Sequence, residues 1–307
     1  MQGLVIKSTG NQYNVRMESG EVLVCRIRGN LRLKDFEATN PVTVGDKVEI
    51  DMNDVEGGIH WISKLIDRKN YIIRKSVKLS RQVQIIGANI DRAFVVATPV
   101  SPKTSLGFID RFLSTAEAYR IPGAIIWNKA DIYDESVRAY IAETKALYEP
   151  IGYKVFVASS VSGEGIEELK AEMAGKVNLF SGHSGVGKSS LINYLIPGLN
   201  LKTAVLSSQH QKGVHTTTFA EMHSMENGGF IIDTPGIREF GTIDFDTYEV
   251  SHFFPDIFAV SKGCKFNNCL HFSEKDCAVK TAVDEGKIAF SRYDSYLSIL
   301  SGQDSYK

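Results

Sequence analysis

The pattern of hydrophobic and polar positions divides the chain into three regions, and the first region ends near residue 68. In this region, short runs of β-branched and aromatic residues are separated by turn sequences such as Ser-Thr-Gly-Asn and Glu-Ser-Gly-Glu. The pattern predicts five short strands, at 4–6, 13–15, 22–27, 47–50 and 59–62. Five strands in this length are typical of a small β-barrel of the oligonucleotide-binding (OB) type, and an SH3-like barrel fits the pattern equally.

The second region, 69–245, alternates apolar strands with amphipathic helices. The strand predicted at 93–98 is almost entirely apolar, as expected in a parallel sheet that is covered on both faces. This alternation predicts a doubly wound α/β domain. Its other strands are predicted at 124–127, 155–158, 177–181 and 230–233, and its helices at 109–119, 136–148, 166–173 and 189–196.

The third region, 246–307, is rich in aromatic residues and holds three of the four cysteines. Its last part, 278–300, is predicted to form one helix. The three regions predict three domains: an OB-type barrel, of a kind that often binds RNA, at 1–68, an α/β domain at 69–245, and a mostly helical, metal-binding domain at 246–307.

Composition and charge indicate a possible nucleic-acid contact in one segment only, between Lys64 and Arg81. The chain has 307 residues, a hydrophobic content of 43% and a formal net charge of −1, so its total charge does not indicate a nucleic-acid partner. The apolar runs are strand-sized and the first residues lack an apolar signal core, so we expect a cytoplasmic protein without membrane attachment. Between Lys64 and Arg81, seven basic residues against one acid form either a solvated linker or a contact to a phosphate backbone.

A phosphate-loop sequence, Gly-His-Ser-Gly-Val-Gly-Lys-Ser, lies at 182–189 between a predicted strand and a predicted helix, the context that nucleotide binding requires. Its glycines let successive backbone N–H groups point at phosphate oxygens, and the helix N-terminus adds a favourable dipole. Lys188 is predicted to reach the β- and γ-phosphates, and the Ser189 hydroxyl to ligate Mg²⁺. The residues predicted to bind phosphate here are Gly182, His183, Ser184, Gly185, Val186, Gly187, Lys188, Ser189 and Ser190.

A second sequence, Asn-Lys-Ala-Asp at 128–131, follows a predicted strand and indicates which base is bound. A carboxylate at Asp131 can accept from both the N1–H and the exocyclic amine of guanine, whereas adenine presents the wrong donors and acceptors. Asn128 and Asp131, with Lys129 between them, therefore predict GTP and not ATP as the ligand. Ser159 and Ser160, after the next strand, are predicted to offer backbone N–H groups to the guanine carbonyl.

Two further segments predict the surroundings of the γ-phosphate. Asp233, at the end of a predicted strand, is expected to hold the Mg²⁺ water shell, and the Gly236 N–H to sense the γ-phosphate. Between the phosphate loop and Asp233 lies a predicted switch segment with the sequence Lys-Gly-Val-His-Thr-Thr-Thr at 212–218. Either Thr216 or Thr217 is expected to coordinate Mg²⁺, and Thr216 is slightly favoured.

The residue after Asp-x-x-Gly predicts how catalysis differs from that of Ras-like enzymes, in which a glutamine orients the attacking water. Here that position is Ile237, which cannot orient water. His215 is therefore predicted to act in catalysis by positioning the water, together with Lys188 and Thr216, and a group on a partner is the alternative. Slow intrinsic turnover and activation by a partner are expected.

The order of the motifs is the reverse of that in ordinary GTP-binding domains. Asn-Lys-Ala-Asp at 128–131, called the guanine sequence below, precedes the phosphate loop. The chain is therefore predicted to be a circularly permuted GTPase. One mechanical consequence follows. After Gly236 the chain runs directly into the cysteine-rich region. Movement of the segment that ends at Gly236, a second switch, is therefore expected to pull on that region.

The cysteine-rich region contains the pattern Cys264-x₄-Cys269-x-His271-x₅-Cys277. Three thiolates and one imidazole suit tetrahedral Zn²⁺ with all positions filled, which is a structural site and not a catalytic one. In a cytosolic chain such a cluster indicates metal binding sooner than disulfides, and the alternative is buried cysteines beside a surface histidine. Cys25 lies alone in an apolar run and is predicted to be a core residue.

Taken together, the reordered motifs, the barrel before them and the Cys₃His pattern after them resemble the bacterial ribosome-small-subunit-dependent GTPase A family. The resemblance covers nearly the whole chain. It implies a late assembly factor of the 30S subunit, a GTP hydrolase that is stimulated by that subunit and contacts 16S rRNA through the barrel and the zinc domain. Val214 departs from the family, which usually has arginine before His-Thr-Thr-Thr, so this chain lacks that arginine.

Two other functions fit parts of the sequence. An RNA-binding assembly module could use GTP occupancy as a signal, with little hydrolysis required. A P-loop ATPase or kinase is disfavoured by Asn128 and Asp131. We expect a monomer that binds GTP with Mg²⁺, one structural Zn²⁺, GDP, the 30S subunit and 16S rRNA.

Overall fold

The computed structural model describes residues 1–27, 41–75, 83–201, 221–233 and 246–302, and the chain divides into two compact units. Unit 1 comprises Met1–Phe94, Glu167–Ser184 and Lys188–Thr242, and unit 2 comprises Val95–Ile166, Gly185–Gly187 and Ile243–Lys307. Four residues with predicted roles lie outside the described residues, so these roles stay predictions: His215, Thr216, Thr217 and Gly236.

Unit 1 begins with a closed β-barrel whose five strands were all predicted. They are β1 (Gln2–Ser8), β2 (Tyr13–Met17), β3 (Val22–Ile27), β4 (Lys47–Glu56) and β5 (Ile59–Leu65). β3 and β5 pair in parallel, and β1 pairs with β4 to close the ring in the order β1-β2-β3-β5-β4. This order is that of an OB barrel, so the SH3-like alternative is wrong. The lumen is filled by buried side chains, among them Val5, Tyr13, Val15, Cys25, Val48 and Ile62.

An antiparallel pair of strands that was not predicted follows the barrel, β6 (Tyr71–Lys75) and β7 (Val83–Ala88). The basic segment that contains β6 is therefore not a solvated linker throughout. The Arg68 side chain is only 7% exposed, and its Nε donates to Asp46 Oδ1 at 2.7 Å. Because this charge is neutralised inside unit 1, Arg68 is not available to a phosphate backbone.

The rest of unit 1 extends the same sheet. β11 (Val177–Ser181) pairs in parallel with β13 (Phe230–Asp233), and β13 pairs antiparallel with β12 (Glu221–Ser224), a strand that was not predicted. β12 also pairs with β1 at Lys7 and Glu221, so the barrel strands and these strands form one continuous sheet. Helix α4 (Lys188–Leu195) follows the phosphate loop.

Unit 2 contains the parallel pair β9 (Gly123–Asn128) and β10 (Lys154–Ala158), with helices α1 (Leu106–Ala118) and α2 (Glu135–Tyr148). Every residue of β9 is buried, which explains why the sequence of this strand is apolar without interruption until Asn128. β8 (Arg92–Ala97) and α3 (Ile166–Met173) each begin in one unit and end in the other. These elements confirm the predicted α/β alternation.

The C-terminal part of unit 2 corrects one prediction. Instead of one helix over 278–300, the structure has α6 (Ala278–Asp284) and α7 (Phe290–Leu300), and α5 (Pro255–Ser261) lies before them. α6 ends because Gly286 adopts the left-handed conformation, with φ of 72°. No helix in the described ranges is both long and apolar enough to span a membrane.

Candidate functional site

The guanine sequence lies where β9 ends, in unit 2. The chain turns there through Lys129, which is in the left-handed region with φ of 69°, and through a short 3₁₀ helix, Ala130–Ile132. Asn128 is 1% exposed, whereas Asp131 is exposed. The turn therefore leaves the Asp131 carboxylate at the surface and the Asn128 amide inside.

Ser159 orients the Asp131 carboxylate. Its hydroxyl donates to Asp131 Oδ1 and accepts from the backbone N–H groups of Val161 at 3.0 Å and Ser162 at 3.2 Å. The Ser159 N–H itself donates to the Glu164 carbonyl at 3.0 Å. Sequence analysis predicted a backbone role for Ser159, and the structure adds a side-chain role that its spacing from Asp131 did not reveal.

Asn128 holds the centre of the phosphate loop. Its Nδ2 donates to the Val186 carbonyl at 2.8 Å, and the Tyr133 hydroxyl donates to the Asn128 carbonyl. A Cβ at Gly187, where φ is 85°, would lie 2.6 Å from Asn128 Nδ2, so this close approach requires glycine. The structure thus brings the guanine sequence and residues 185–187 of the phosphate loop together within unit 2.

A loop after β8 packs against the same part of the phosphate loop, and sequence analysis did not predict it. A Cβ at Gly185 would lie 3.4 Å from Pro102 Cδ, which is ordinary contact distance. Lys129 Nζ donates to the Ser101 carbonyl at 2.6 Å. The loop is closed by Thr104, whose N–H donates to the Thr98 carbonyl at 2.8 Å.

In unit 1, Lys188 and Asp233 face each other. Lys188 is the first residue of α4, Asp233 is the last residue of β13, and Lys188 Nζ contacts Asp233 Oδ1. Their side chains are 14% and 11% exposed. An ammonium group and a carboxylate at a helix N-terminus can serve a phosphate and its metal ion respectively. The neighbouring predicted residues of unit 1 are Gly182, His183 and Ser184, before this point, and Ser189 and Ser190, in the first turn of α4.

The C-terminal part of unit 2 gathers Cys264, Cys269, His271 and Cys277, whose ligand atoms all lie within 4.8 Å of one another. His271 Nδ1 is 3.5 Å from Cys264 Sγ and 3.4 Å from Cys277 Sγ, and these two sulfurs are 3.9 Å apart. Bonds of about 2.3 Å to sulfur and about 2.0 Å to nitrogen place tetrahedral ligands about 3.5–3.8 Å apart. The four residues therefore fit a metal ion of zinc's size and could hold one.

The backbone around His271 is fixed by groups that are not ligands. The Glu274 carboxylate accepts from the N–H groups of Leu270 at 2.7 Å and Phe272 at 2.9 Å. His271 is 2% exposed and has φ of 56°, a conformation that needs such support. Burial lowers the pKa of His271, which keeps its ring in the neutral, ligating form.

The comparison with known proteins identifies the family. The family model described as RsgA GTPase matches residues 65–243, and the model described as RsgA N-terminal domain matches residues 2–59. The chain belongs to the RsgA GTPase family. It is therefore a GTP-hydrolysing enzyme, as the sequence predicted, and the ATPase or kinase alternative is wrong.

Relatives and solved structures match over nearly their whole length. The small ribosomal subunit biogenesis GTPase RsgA of Bacteroides fragilis (strain YCH46) is 52% identical, over 100% of this chain and 98% of the relative. The protein of the same name from Porphyromonas gingivalis (strain ATCC BAA-308 / W83) is 50% identical, over 99% and 98%.

The crystal structure of YjeQ from Thermotoga maritima has a TM-score of 0.81 at 33% identity, and covers 100% of this chain and 99% of that chain. YloQ, whose structure is described as a circularly permuted GTPase, has a TM-score of 0.76 at 29% identity and covers 100% and 96%. These likenesses confirm the permuted order that the motifs predicted.

Proposed function

We propose that this GTPase acts in the biogenesis of the small ribosomal subunit, at a late stage, that the 30S subunit activates it, and that it binds 16S rRNA. The observation that carries the proposal is the match over the whole chain to proteins named small ribosomal subunit biogenesis GTPase. Support also comes from the architecture, since a β-barrel precedes the GTPase sequence and a Cys₃His cluster follows it. OB barrels commonly bind RNA on one face.

For base recognition, we propose that Asp131 accepts from the guanine N1–H and exocyclic amine. Its exposure and the hydroxyl of Ser159 that orients it support this role. Since the Ser159 N–H donates to Glu164, the contact to the guanine carbonyl falls to the Ser160 N–H. Lys129, beside Gly187, covers the base, and Asn128 fixes the phosphate loop beneath it.

For the phosphates, Lys188 binds the β- and γ-oxygens, and Ser189 ligates Mg²⁺ while Asp233 holds its water shell. The contact between Lys188 and Asp233 supports this assignment, because it places a cation and an acid at the start of α4. Mg²⁺ supplies charge neutralisation when it is bound with GTP. Thr216, or its neighbour Thr217, would be a further Mg²⁺ ligand, His215 would position the attacking water, and the Gly236 N–H would sense the γ-phosphate.

We propose that the Cys₃His cluster holds one structural Zn²⁺. The donor set and the distances between the donor atoms support this choice of metal. The protein functions as a monomer in the cytoplasm, where its partners, GTP and the 30S subunit, are found. The second candidate function is an RNA-binding assembly module that uses GTP occupancy as a signal and requires little hydrolysis. Only the barrel supports it.

A particle-binding experiment tests the proposal. The protein is mixed with 30S, 50S or 70S particles in the presence of a non-hydrolysable GTP analogue or GDP, and bound protein is measured after sedimentation. We expect binding to 30S particles, stronger with the GTP analogue than with GDP. Equal binding to 30S and 50S particles, or binding that does not depend on the nucleotide, would contradict the proposal.

A further inference from the structure

A buried ion cluster in unit 2 is not used by the nucleotide or metal chemistry described above. The Arg292 side chain, on α7, is 1% exposed, and its Nη1 lies 2.7 Å from Oδ1 of Asp110, on α1, which is 0% exposed. Its Nη2 lies 2.8 Å from Asp256 Oδ1, on α5. The Tyr148 hydroxyl, at the end of α2, donates to the same Asp110 oxygen at 2.7 Å.

Aromatic rings enclose the guanidinium group. The Arg292 Cζ lies 4.7 Å from the Phe254 ring centroid, 5.8 Å from that of Tyr148 and 5.9 Å from that of Tyr153. The cluster is therefore shielded from water, and loss of either charge would leave its partner buried and unpaired, which is strongly destabilising. Such a cluster keeps α7 in one position against α1.

The residues next to Arg292 on α7 hold the metal-binding loop. The Tyr293 hydroxyl donates to the His271 carbonyl at 2.5 Å, and the Tyr296 hydroxyl donates to the Leu270 carbonyl at 2.7 Å. Cys277 packs in the same apolar cluster as Tyr293 and Tyr296. Formation of the metal site and the position of α7 are thus linked by direct contacts.

Asp110, the partner of Arg292, is connected to the elements on both sides of the guanine sequence. On α1, Leu113 lies one turn after Asp110, and a Cβ at Gly123, the first residue of β9, would lie 2.6 Å from Leu113 Cδ2. On the other side, α2 begins shortly after Asp131 and ends at Tyr148, whose hydroxyl donates a hydrogen bond to Asp110. Asp110 therefore contacts or adjoins the elements that come before and after Asn128–Asp131.

We propose that α7 couples the metal site to the guanine site, with Arg292 as a positioning residue, so that metal binding strengthens the binding of guanine nucleotides. This inference rests on the zinc and guanine sites of the proposed function. When the metal leaves, the loop no longer fixes α7 through Tyr293 and Tyr296. Arg292 then pairs less well with Asp110, and the elements that carry Asn128 and Asp131 loosen.

The test measures the dissociation constant of a fluorescent GDP analogue for the zinc-loaded protein and for the protein after zinc removal. We expect zinc removal to weaken binding by about tenfold, within the usual range of coupling between two sites. In Arg292→Met and Asp110→Asn, the same removal should change the affinity by less than about twofold, because the link is already broken. Lys287→Met removes an exposed ion pair with Glu285 in the same region, and should keep the full effect.

Linkage supplies a second readout that does not depend on the variants. GDP must raise the affinity for zinc, measured by competition with a metal chelator, by the same factor by which zinc raises the affinity for GDP. If Arg292→Met fails to fold by circular dichroism, Tyr293→Phe, which removes one hydroxyl, replaces it and should reduce the coupling.

Three results would overturn the inference in distinguishable ways. Zinc binding without any change in GDP affinity would reject the coupling alone and leave the proposed function intact. Full coupling in the Arg292 and Asp110 variants would reject α7 as the connection. A protein that binds no zinc would reject the metal assignment and the coupling together.

Discussion

At the residue scale, the group proposed to select the base, the Asp131 carboxylate, is exposed and is held by one hydroxyl. The sequence predicts this role for Asp131, because a carboxylate at that spacing after a strand matches the donors of guanine. The contact of the Ser159 hydroxyl with Asp131 was not predictable. The two residues follow the ends of different strands and meet only in the folded chain. The same limit applies to Arg292 and Asp110, which are far apart in sequence.

The substitution Asp131→Asn tests base recognition. An amide at this position can donate where the carboxylate only accepts, so the variant should prefer xanthosine triphosphate over GTP. Nucleotide affinities measured by competition against a fluorescent analogue check this outcome. If Asp131→Asn still prefers GTP, the assignment of 128–131 as the guanine sequence is wrong.

The role predicted for His215, which lies outside the described residues, is open to a kinetic test. His215→Ala should keep its GTP affinity but lower 30S-stimulated turnover by about 10²-fold, because it removes a group that positions the attacking water. Turnover within about threefold of the unchanged protein, with 30S binding intact, would point to a ribosomal group instead.

At the element scale, long periodic elements were predicted well, and the elements that were missed are short. The strands of the barrel and the helices of the α/β region have strong period-2 or helical patterns. β12 has four residues and α5 has seven, lengths at which the hydrophobic pattern carries little information. The single helix predicted at the C-terminus was wrong because one left-handed glycine, Gly286, interrupts an otherwise helical pattern.

The N-cap of α2 gives a prediction with a defined pH dependence. The Asp134 carboxylate accepts from Ser136 Oγ and from the Val137 N–H, and these two bonds lower its pKa. A carboxyl group with a lowered pKa in the folded state stabilises the protein above its unfolded-state pKa, and this effect is lost as pH falls through the folded-state pKa.

Asp134→Ala should therefore lower the urea midpoint near neutral pH, and the difference from the unchanged protein should shrink in acid. Asp134→Ser keeps a capping oxygen that does not titrate, and should stay close to the unchanged protein near neutral pH. A difference for Asp134→Ala that is constant over the whole pH range would contradict the assigned cap.

At the scale of the whole molecule, the compact units follow contacts that sequence order hides. Residues 185–187 group with unit 2 although the rest of the phosphate loop groups with unit 1. Sequence reasoning placed the phosphate loop correctly between a strand and a helix, but hydrophobic periodicity does not report contacts between distant segments such as Asn128 and Val186.

Metal removal should have its largest effect close to the Cys₃His cluster. Thiolate binding to zinc contributes directly to folding, so hydrogen exchange after chelation should rise most over 264–277 and should not change in the barrel strands. Mass spectrometry with and without chelator measures this. An equal rise in the barrel, or no rise after the loss of one zinc per chain, would contradict a structural zinc site in this region.

GTP hydrolysis with purified ribosomal particles tests activation by the small subunit most directly. Single-turnover rates are measured for the protein alone, with 30S subunits and with 50S subunits, at a fixed salt concentration. We expect slow hydrolysis by the protein alone and no stimulation by 50S subunits. With 30S subunits we expect a stimulation of at least about tenfold, which is below what a GTPase-activating partner can supply. Equal rates in the three conditions would contradict a small-subunit-activated GTPase.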